Sequence, residues 1–165
     1  MSEPASFQDP LLQRMAEFLR GIGIEVRAAT LDADTPCPGL WVERGAVLVD
    51  EARLAYPGDL LHEAGHVAVC DPAARAGLAA VTDDPGEEMA AIAWSYAAAR
   101  QLGIDPTVVF HDAGYVSGGG YLASAFDAGG GPGTPLLAWF GMTLETRAAA
   151  EAGASPFPHM MRWLR

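Results

Sequence analysis

Two histidines and a glutamate stand at the spacing of a metal-binding helix. His62, Glu63 and His66 form a His-Glu-x-x-His sequence inside an apolar stretch. Histidines four residues apart on a helix lie one turn above each other on the same face, so both imidazoles can reach one metal ion. Glu63 is rotated by about 100° from His62, and its carboxylate can reach a metal-bound water without becoming a ligand. This pattern predicts a zinc site with Glu63 as general base.

The neighbouring residues predict that this motif lies on a buried helix. Pro57 and Gly58 indicate a turn, and Asp59 is a candidate N-cap because its carboxylate can accept hydrogen bonds from the first helical turn. We therefore expect a helix from Asp59 to Cys70 that is apolar on nearly all sides and packed inside the protein. A buried polar group without a partner costs about 1–3 kcal/mol, and a metal ion is one such partner. The alternative is that both histidines are hydrogen-bonded core residues.

A second helix can supply the third metal ligand. Glu87 and Glu88 open an alanine-rich stretch that predicts a helix from Gly86 to Leu102, with Gly103 as its C-terminal stop. Catalytic zinc takes three protein ligands and leaves the fourth position to water, and two histidines with one glutamate form an accepted set. We expect Glu88 to be this ligand and keep Glu87 as the alternative. The other explanation is that both glutamates only complement the helix dipole.

Further polar residues are candidates for supporting roles. His111, Tyr115 and Tyr121 lie near glycines in the second half of the chain and can donate a hydrogen bond to an oxyanion. We select His111 first, although a polar residue on a loop is often only structural. Cys70 lies one turn beyond His66 and is either an additional ligand or a small buried residue. Because no secretory signal is visible, we do not expect a disulfide between the two cysteines.

The composition argues against several classes of function. Half of the 165 residues are apolar, but no apolar run approaches the roughly 18 residues needed to cross a bilayer. The absence of a signal segment predicts a cytoplasmic protein. The formal net charge is −11, and the ten basic residues are all arginine and form no cluster, which argues against nucleic-acid binding. We expect a peptide or protein substrate and no membrane partner, whereas the sequence leaves the oligomeric state open.

The remaining pattern predicts a small α+β domain that holds these residues. One domain is expected over residues 1–165, with 1–8 and 155–165 as segments that can fray. A helix is expected over 121–126, after the glutamate helix and between glycine-rich loops. The elements expected before the motif helix are a helix opened by Asp9 and Pro10 and running to Gly21, a strand over 22–26, a hairpin over 40–50 about Gly45, and a short strand over 53–56.

The zinc motif and its downstream glutamate resemble the gluzincin pattern of zinc metallopeptidases. Glu88 stands twenty-two residues after the second histidine of His-Glu-Ala-Gly-His at 62–66. The order of helix, small sheet, motif helix and glutamate helix is most similar to the compact intracellular ImmA/IrrE family, over about residues 8–103. The resemblance implies a zincin-like fold, in which a small antiparallel sheet packs on a buried motif helix and further helices follow. It also implies His62, His66 and Glu88 as zinc ligands and Glu63 as general base.

The chain departs from that family in the glutamate helix. The second helix of the family reads Glu-Ala-Asn-x-Phe-Ala, whereas this chain has Ala90 in place of the asparagine. Ile92 stands four residues after Glu88, where an acidic residue would support a ligand. The family's substrates are therefore not transferred to this chain.

Two functions are compatible with these residues. The first is zinc-dependent hydrolysis of a peptide bond, in which Glu63 takes a proton from an activated water. The second is a non-hydrolytic zincin-like sensor or protein-binding domain with a structural zinc. The two differ at the fourth coordination position, because a structural site is closed by a fourth protein ligand such as Cys70 or His111.

Overall fold

The described residues of this computed structural model, which are 6–32, 35–81, 83–115 and 118–165, form a mixed α+β fold. Within them, no helix is both long enough and apolar enough to cross a membrane. Seven α-helices, one short 3-10 helix (Pro106–Val108) and three strands are present in this part of the chain. In chain order the helices and strands are α1 (Pro10–Gly21), β1 (Val26–Ala28), β2 (Leu40–Glu43), β3 (Ala46–Val49), α2 (Asp59–Val69), α3 (Pro72–Arg75), α4 (Pro85–Leu102), α5 (Gly120–Asp127), α6 (Thr134–Trp139) and α7 (Thr146–Ala152).

The sheet has the order β1-β3-β2 and is mixed, whereas an antiparallel sheet was expected. β2 and β3 form the predicted antiparallel hairpin, with Leu40 opposite Val49. Arg44 and Gly45 both have positive φ, at 51° and 75°, as a tight two-residue hairpin turn requires. β1 instead lies along the edge of β3 that β2 leaves free, and the two strands run in the same direction.

Two strand predictions were wrong in their extent. β1 begins at Val26, because Ile22 still belongs to the end of α1, where its N–H donates to backbone carbonyls of the last turn. Residues 53–56 form no strand. The N–H groups of Arg53 and Leu54 both donate to the carbonyl of Asp50 and make a turn instead, so no extended backbone is left to join the sheet.

Helix α2 is buried between the sheet and α4, as its apolar pattern predicts. Leu60, Leu61 and Val67 are at most 1% exposed. The helix ends at Val69, with Cys70 as an extended C-cap. The prediction that Asp59 is the N-cap was wrong. Gly58 occupies that position without a capping side chain, because the Asp59 carboxylate contacts Cys37 and His111 instead.

Helix α4 confirms the prediction made from its sequence and lies directly against α2. It begins after Asp84, whose carboxylate accepts a hydrogen bond from the N–H of Glu87, and it ends at Gly103, which has a φ of +65°. The contact with α2 is close at Gly65, where a Cβ atom would come within 2.9 Å of the carbonyl oxygen of Ala91. The two helices therefore meet nearly backbone to backbone beside the zinc motif.

The C-terminal segment supports the far end of α2. The indole of Trp94 on α4 donates a hydrogen bond of 2.9 Å to the carbonyl of Trp163, and the two rings meet edge to face. The backbone N–H of Arg165 donates to the carbonyl of Ala68 at 3.0 Å. The guanidinium of Arg75 also donates to the carbonyls of Val67 and Ala68. Positive groups thus lie at the negative end of the motif helix, where they are stabilising.

Candidate metal centre

Three side chains of the predicted ligand set converge at one point between α2 and α4. The Nε2 atoms of His62 and His66 lie 3.2 Å apart. The Glu88 carboxylate lies 2.9 Å from His66 Nε2 and 3.4 Å from His62 Nε2. Within the described residues, these three side chains are the group whose ligand atoms lie close enough together to share a metal ion.

The spacing of these atoms fits a tetrahedral zinc site. Zinc binds histidine nitrogen and carboxylate oxygen at about 2.0–2.2 Å, and two corners of such a tetrahedron lie about 3.3 Å apart. The distances within the trio, between 2.9 and 3.4 Å, are close to this value. Two imidazole nitrogens and a carboxylate are also the donor set of catalytic zinc sites. The residues present therefore fit the metal.

The environment keeps His62 in the form that a metal needs. Burial lowers the pKa of His62 to about 4, and the neighbouring His66 adds to this shift, while the Glu88 carboxylate opposes it. A neutral imidazole has a lone pair available for a metal, so His62 is competent at neutral pH. The Glu88 pKa is lowered, first by its contact with His66, which keeps the carboxylate ionised. The Nδ1 atoms of His62 and His66 are buried and have no hydrogen-bond partner in the described part of the chain.

The other two candidate ligands lie elsewhere. Glu87 does not belong to the converging group, and its carboxylate lies near Cys70, whose pKa is raised by burial and further by that charge. The thiol of Cys70 donates to the carbonyl of Val67 at 3.2 Å, within its own helix. Of the two glutamates that open α4, Glu88 is the one brought to the histidines.

Glu63 lies beside the trio on the wall of a cavity. The cavity has a volume of about 310 Å³ and is also lined by His62, His66 and Glu88. Burial raises the pKa of Glu63 to about 7, with the nearby carboxylates of Asp59 and Glu88 adding to this shift and His66 opposing it. A carboxyl group with a pKa near the working pH can both accept and release a proton, which is what a general acid–base catalyst requires.

His111 lies in a different contact from the one expected of an oxyanion donor. Its Nε2 is 2.6 Å from the Asp59 carboxylate, and its ring stacks on Tyr56 with 3.8 Å between ring centroids. The same carboxylate accepts a hydrogen bond from the thiol of Cys37. His111 therefore joins the loop after the 3-10 helix to the first turn of α2, and it does not line the cavity.

Tyr115 is the tyrosine that lies against the metal centre. Its ring meets the His62 ring edge to face, with 6.2 Å between centroids. Burial raises the pKa of its phenol, as do the negative charges of Glu88 and Asp59, so that the hydroxyl keeps its proton at neutral pH. Neither Tyr115 nor Tyr121 is among the residues that line the cavity, and Tyr121 is 61% exposed on α5.

Sequence reasoning missed the contact of Asp59 with His111. Its position after Pro57 and Gly58 predicts a helix cap, and nothing in the sequence indicates its contact with His111, fifty-two residues away. The sequence does predict the strand that carries Leu40 and Val42, two apolar residues of the cavity wall. Whether these two residues line the cavity depends on the packing of β2 beside α2, and the sequence does not reveal that packing.

Comparisons of the chain with protein-family models, with curated protein sequences and with solved structures found no match.

Proposed function

We propose that this protein is a zinc-dependent peptidase of zincin-like architecture. The observation that carries the proposal is the convergence of His62, His66 and Glu88 beside a cavity that also receives the carboxylate of Glu63. A zinc ion held by the three residues would lower the pKa of a bound water towards 7 and polarise a substrate carbonyl. The packing of the small sheet and α4 on the motif helix supports the zincin-like layout.

The role of Glu63 in this reaction is proton transfer. Its carboxylate accepts a proton from the water that attacks the scissile carbonyl and then gives the proton to the leaving amine. Burial raises the pKa of this carboxyl to about 7 in the metal-free protein, and a zinc ion beside it would lower that pKa and favour the form that accepts a proton. Most of the residues that line the cavity beside this carboxylate are apolar.

Tyr115 is our proposed hydrogen-bond donor to the oxyanion that forms on the substrate. Its phenol is protonated at neutral pH and lies against His62, whereas the Nε2 of His111 is engaged with Asp59. One preorganised donor of this kind is worth about 100- to 1000-fold in kcat. In this proposal His111 is a positioning residue, because it ties the loop that carries Tyr115 to the start of α2.

Strand β2 supports a peptide as the substrate. It is an edge strand in the sheet order, and Leu40, Trp41 and Val42 line the same cavity as the trio. An extended peptide can add to such an edge through its main-chain hydrogen bonds. This placement would bring a peptide bond to Glu63 and to the metal ligands.

The second function, a sensor with a structural zinc, requires a fourth protein ligand. Neither residue considered for that position faces the trio, since the Cys70 thiol donates to Val67 and the His111 ring contacts Asp59. Among the residues that the structure describes, the converging group holds these three side chains alone, and a fourth position left open is the arrangement of catalytic zinc sites. This favours the peptidase over the sensor.

The proposal is tested by metal content and hydrolysis on matched variants. We expect one zinc per chain in the native protein, strong loss of zinc in Glu88→Gln, and full zinc content in Glu87→Gln, which serves as the control. Glu63→Gln should keep its zinc and lose cleavage of a peptide library by at least about 100-fold. Equal zinc content in the Glu88 and Glu87 variants would refute the ligand set. Undiminished cleavage by Glu63→Gln would refute the mechanism.

A further inference from the structure

The cavity beside the metal centre has an apolar wall and an acidic lining. Three carboxylates reach it, from Glu63, Glu88 and Asp83, and no arginine is among its described lining residues. A volume of about 310 Å³ is at the small end of ligand sites and suits one side chain of a longer substrate. The apolar lining consists of Pro36, Cys37, Leu40, Trp41, Val42, Ala80 and Val81.

Trp41 is one of the residues that line this cavity. The neighbouring strand residues Leu40 and Val42 are at most 2% exposed, whereas Trp41 is 37% exposed on the edge strand β2. The face of an indole ring attracts a cation and stacks well on a planar guanidinium group. A large aromatic side chain left in contact with solvent at the cavity is therefore available to a ligand.

Asp83 supplies a negative charge that the protein does not itself neutralise. It is exposed, and it forms no ion pair with any described residue. The adjacent Asp84 is already engaged, since its carboxylate caps α4 at the N–H of Glu87. Glu88 and Glu63 are assigned above to the metal and to proton transfer. Asp83 is thus the lining carboxylate that remains for a substrate.

We infer that this cavity selects an arginine side chain, with lysine as a weaker alternative, in the peptide that is cleaved. The inference rests on the proposed peptidase function. The aliphatic stem of arginine matches the apolar wall, while its guanidinium stacks on Trp41 and pairs with the Asp83 carboxylate. The net charge of −11 also favours the approach of cationic peptides. Trp41 and Asp83 are specificity-determining residues in this arrangement.

The first experiment measures cleavage specificity. Products of a mixed peptide library are sequenced to locate the cut, and four matched peptides then carry arginine, citrulline, leucine or glutamate at the selected position. Citrulline has nearly the shape of arginine without its charge. We expect kcat/KM to be highest for arginine, about fivefold or more above citrulline, and lowest for glutamate.

Two variants assign this preference to the named residues. Asp83→Asn and Trp41→Leu should each reduce the arginine-to-citrulline ratio about fivefold, because cleavage of the arginine peptide falls by a larger factor than cleavage of the uncharged peptides. Glu151→Gln and Trp139→Leu are the matched controls, because both native residues are strongly exposed and neither lines the cavity. A native preference for leucine, or an unchanged ratio in both variants, would overturn the inference.

A binding measurement separates this inference from the proposed function. Zinc-loaded Glu63→Gln protein is titrated with the same four fluorescent peptides, and their affinities are compared with those of the double variant that also carries Asp83→Asn. Tighter binding of arginine than of citrulline, lost in the double variant, supports the cavity assignment even if the native protein hydrolyses none of the peptides. Equal binding of all four peptides contradicts the assignment. Absence of hydrolysis by the native protein contradicts only the proposed function.

Discussion

Replacement of Glu63 by glutamine should stabilise the metal-free protein at neutral pH. The native carboxyl has its pKa raised from 4.5 to about 7, with burial as the first cause. Because the folded pKa lies above the unfolded one, the stability that the protonated group provides is complete below pH 4.5 and is lost as the pH rises through 7. A shift of about 2.5 units corresponds to roughly 3 kcal/mol at most. Glutamine has the same shape and cannot ionise, so the variant avoids this loss.

The assay is unfolding by urea in the presence of a chelator, followed by tryptophan fluorescence at several pH values. Near pH 4.5 the native protein and Glu63→Gln should unfold with equal free energy. At pH 7.5 the variant should be more stable by up to about 3 kcal/mol, or about 6–12 °C in Tm for a chain of this size. The control is Glu17→Gln, which removes a charge from the exposed face of α1 and should show no such divergence.

The opposite result would be equally informative. If the difference in free energy of unfolding between the two proteins is the same at pH 4.5 and pH 7.5, ionisation of Glu63 does not destabilise the folded protein. Its pKa in the metal-free protein is then not raised by burial. Zinc should also reduce the difference, since a cation beside the carboxylate stabilises its ionised form. An unchanged difference at saturating zinc would separate Glu63 from the metal centre.

Three further predictions concern other residues around the site. Tyr115→Phe should lower kcat about 100-fold with unchanged zinc content. The control is Tyr121→Phe, since Tyr121 is exposed and its hydroxyl should be dispensable. Equal rates in the two variants would remove Tyr115 from the mechanism. Gly65→Ala should lower the free energy of unfolding by about 1–2 kcal/mol and weaken zinc binding, because the added methyl group meets α4. Gly21→Ala is the control and should cause neither effect, since the space around Gly21 is open. A stabilised Gly65→Ala protein would contradict this packing. Burial and the hydrogen bond to Asp127 raise the pKa of Tyr96 to about 12. The stability that its protonated form provides should therefore be present below pH 10 and lost between pH 10 and 12. Tyr96→Phe should abolish that pH dependence in unfolding curves measured at alkaline pH.

The parts of this fold that the sequence predicts well are those specified by neighbouring residues. Asp9 and Pro10 open α1, Gly45 turns the hairpin and Gly103 ends α4, each through a backbone requirement that acts over a few residues. The spacing of His62 and His66 likewise needs only a helix to bring both imidazoles together. These predictions are confirmed because no distant contact competes with the local preference.

The predictions that failed involve contacts between distant parts of the chain. Asp59 has the sequence context of an N-cap, but its carboxylate gains a contact with His111 and leaves Gly58 at the cap position. The parallel pairing of β1 with β3 depends on which edge of the hairpin faces α1, and no local pattern specifies that edge. Tertiary contacts outweighed the local preference in both cases.

The sequence favours Glu88 over Glu87 as the partner of the histidines but leaves Glu87 open, and the packing of the two helices explains why. The close contact of α2 with α4 passes through Gly65 and Ala91. On α4, Glu87 and Glu88 lie four and three residues before Ala91, which places them about 40° and 60° to opposite sides of that contact. The side on which the histidines lie depends on how the two helices cross, and the periodicity of α4 does not contain that information. In the structure, Glu88 is on the side of His66 and Glu87 is on the side of Cys70. Because Gly65 has no side chain, α4 can approach α2 closely at this point, and Glu88 lies 2.9 Å from His66 Nε2.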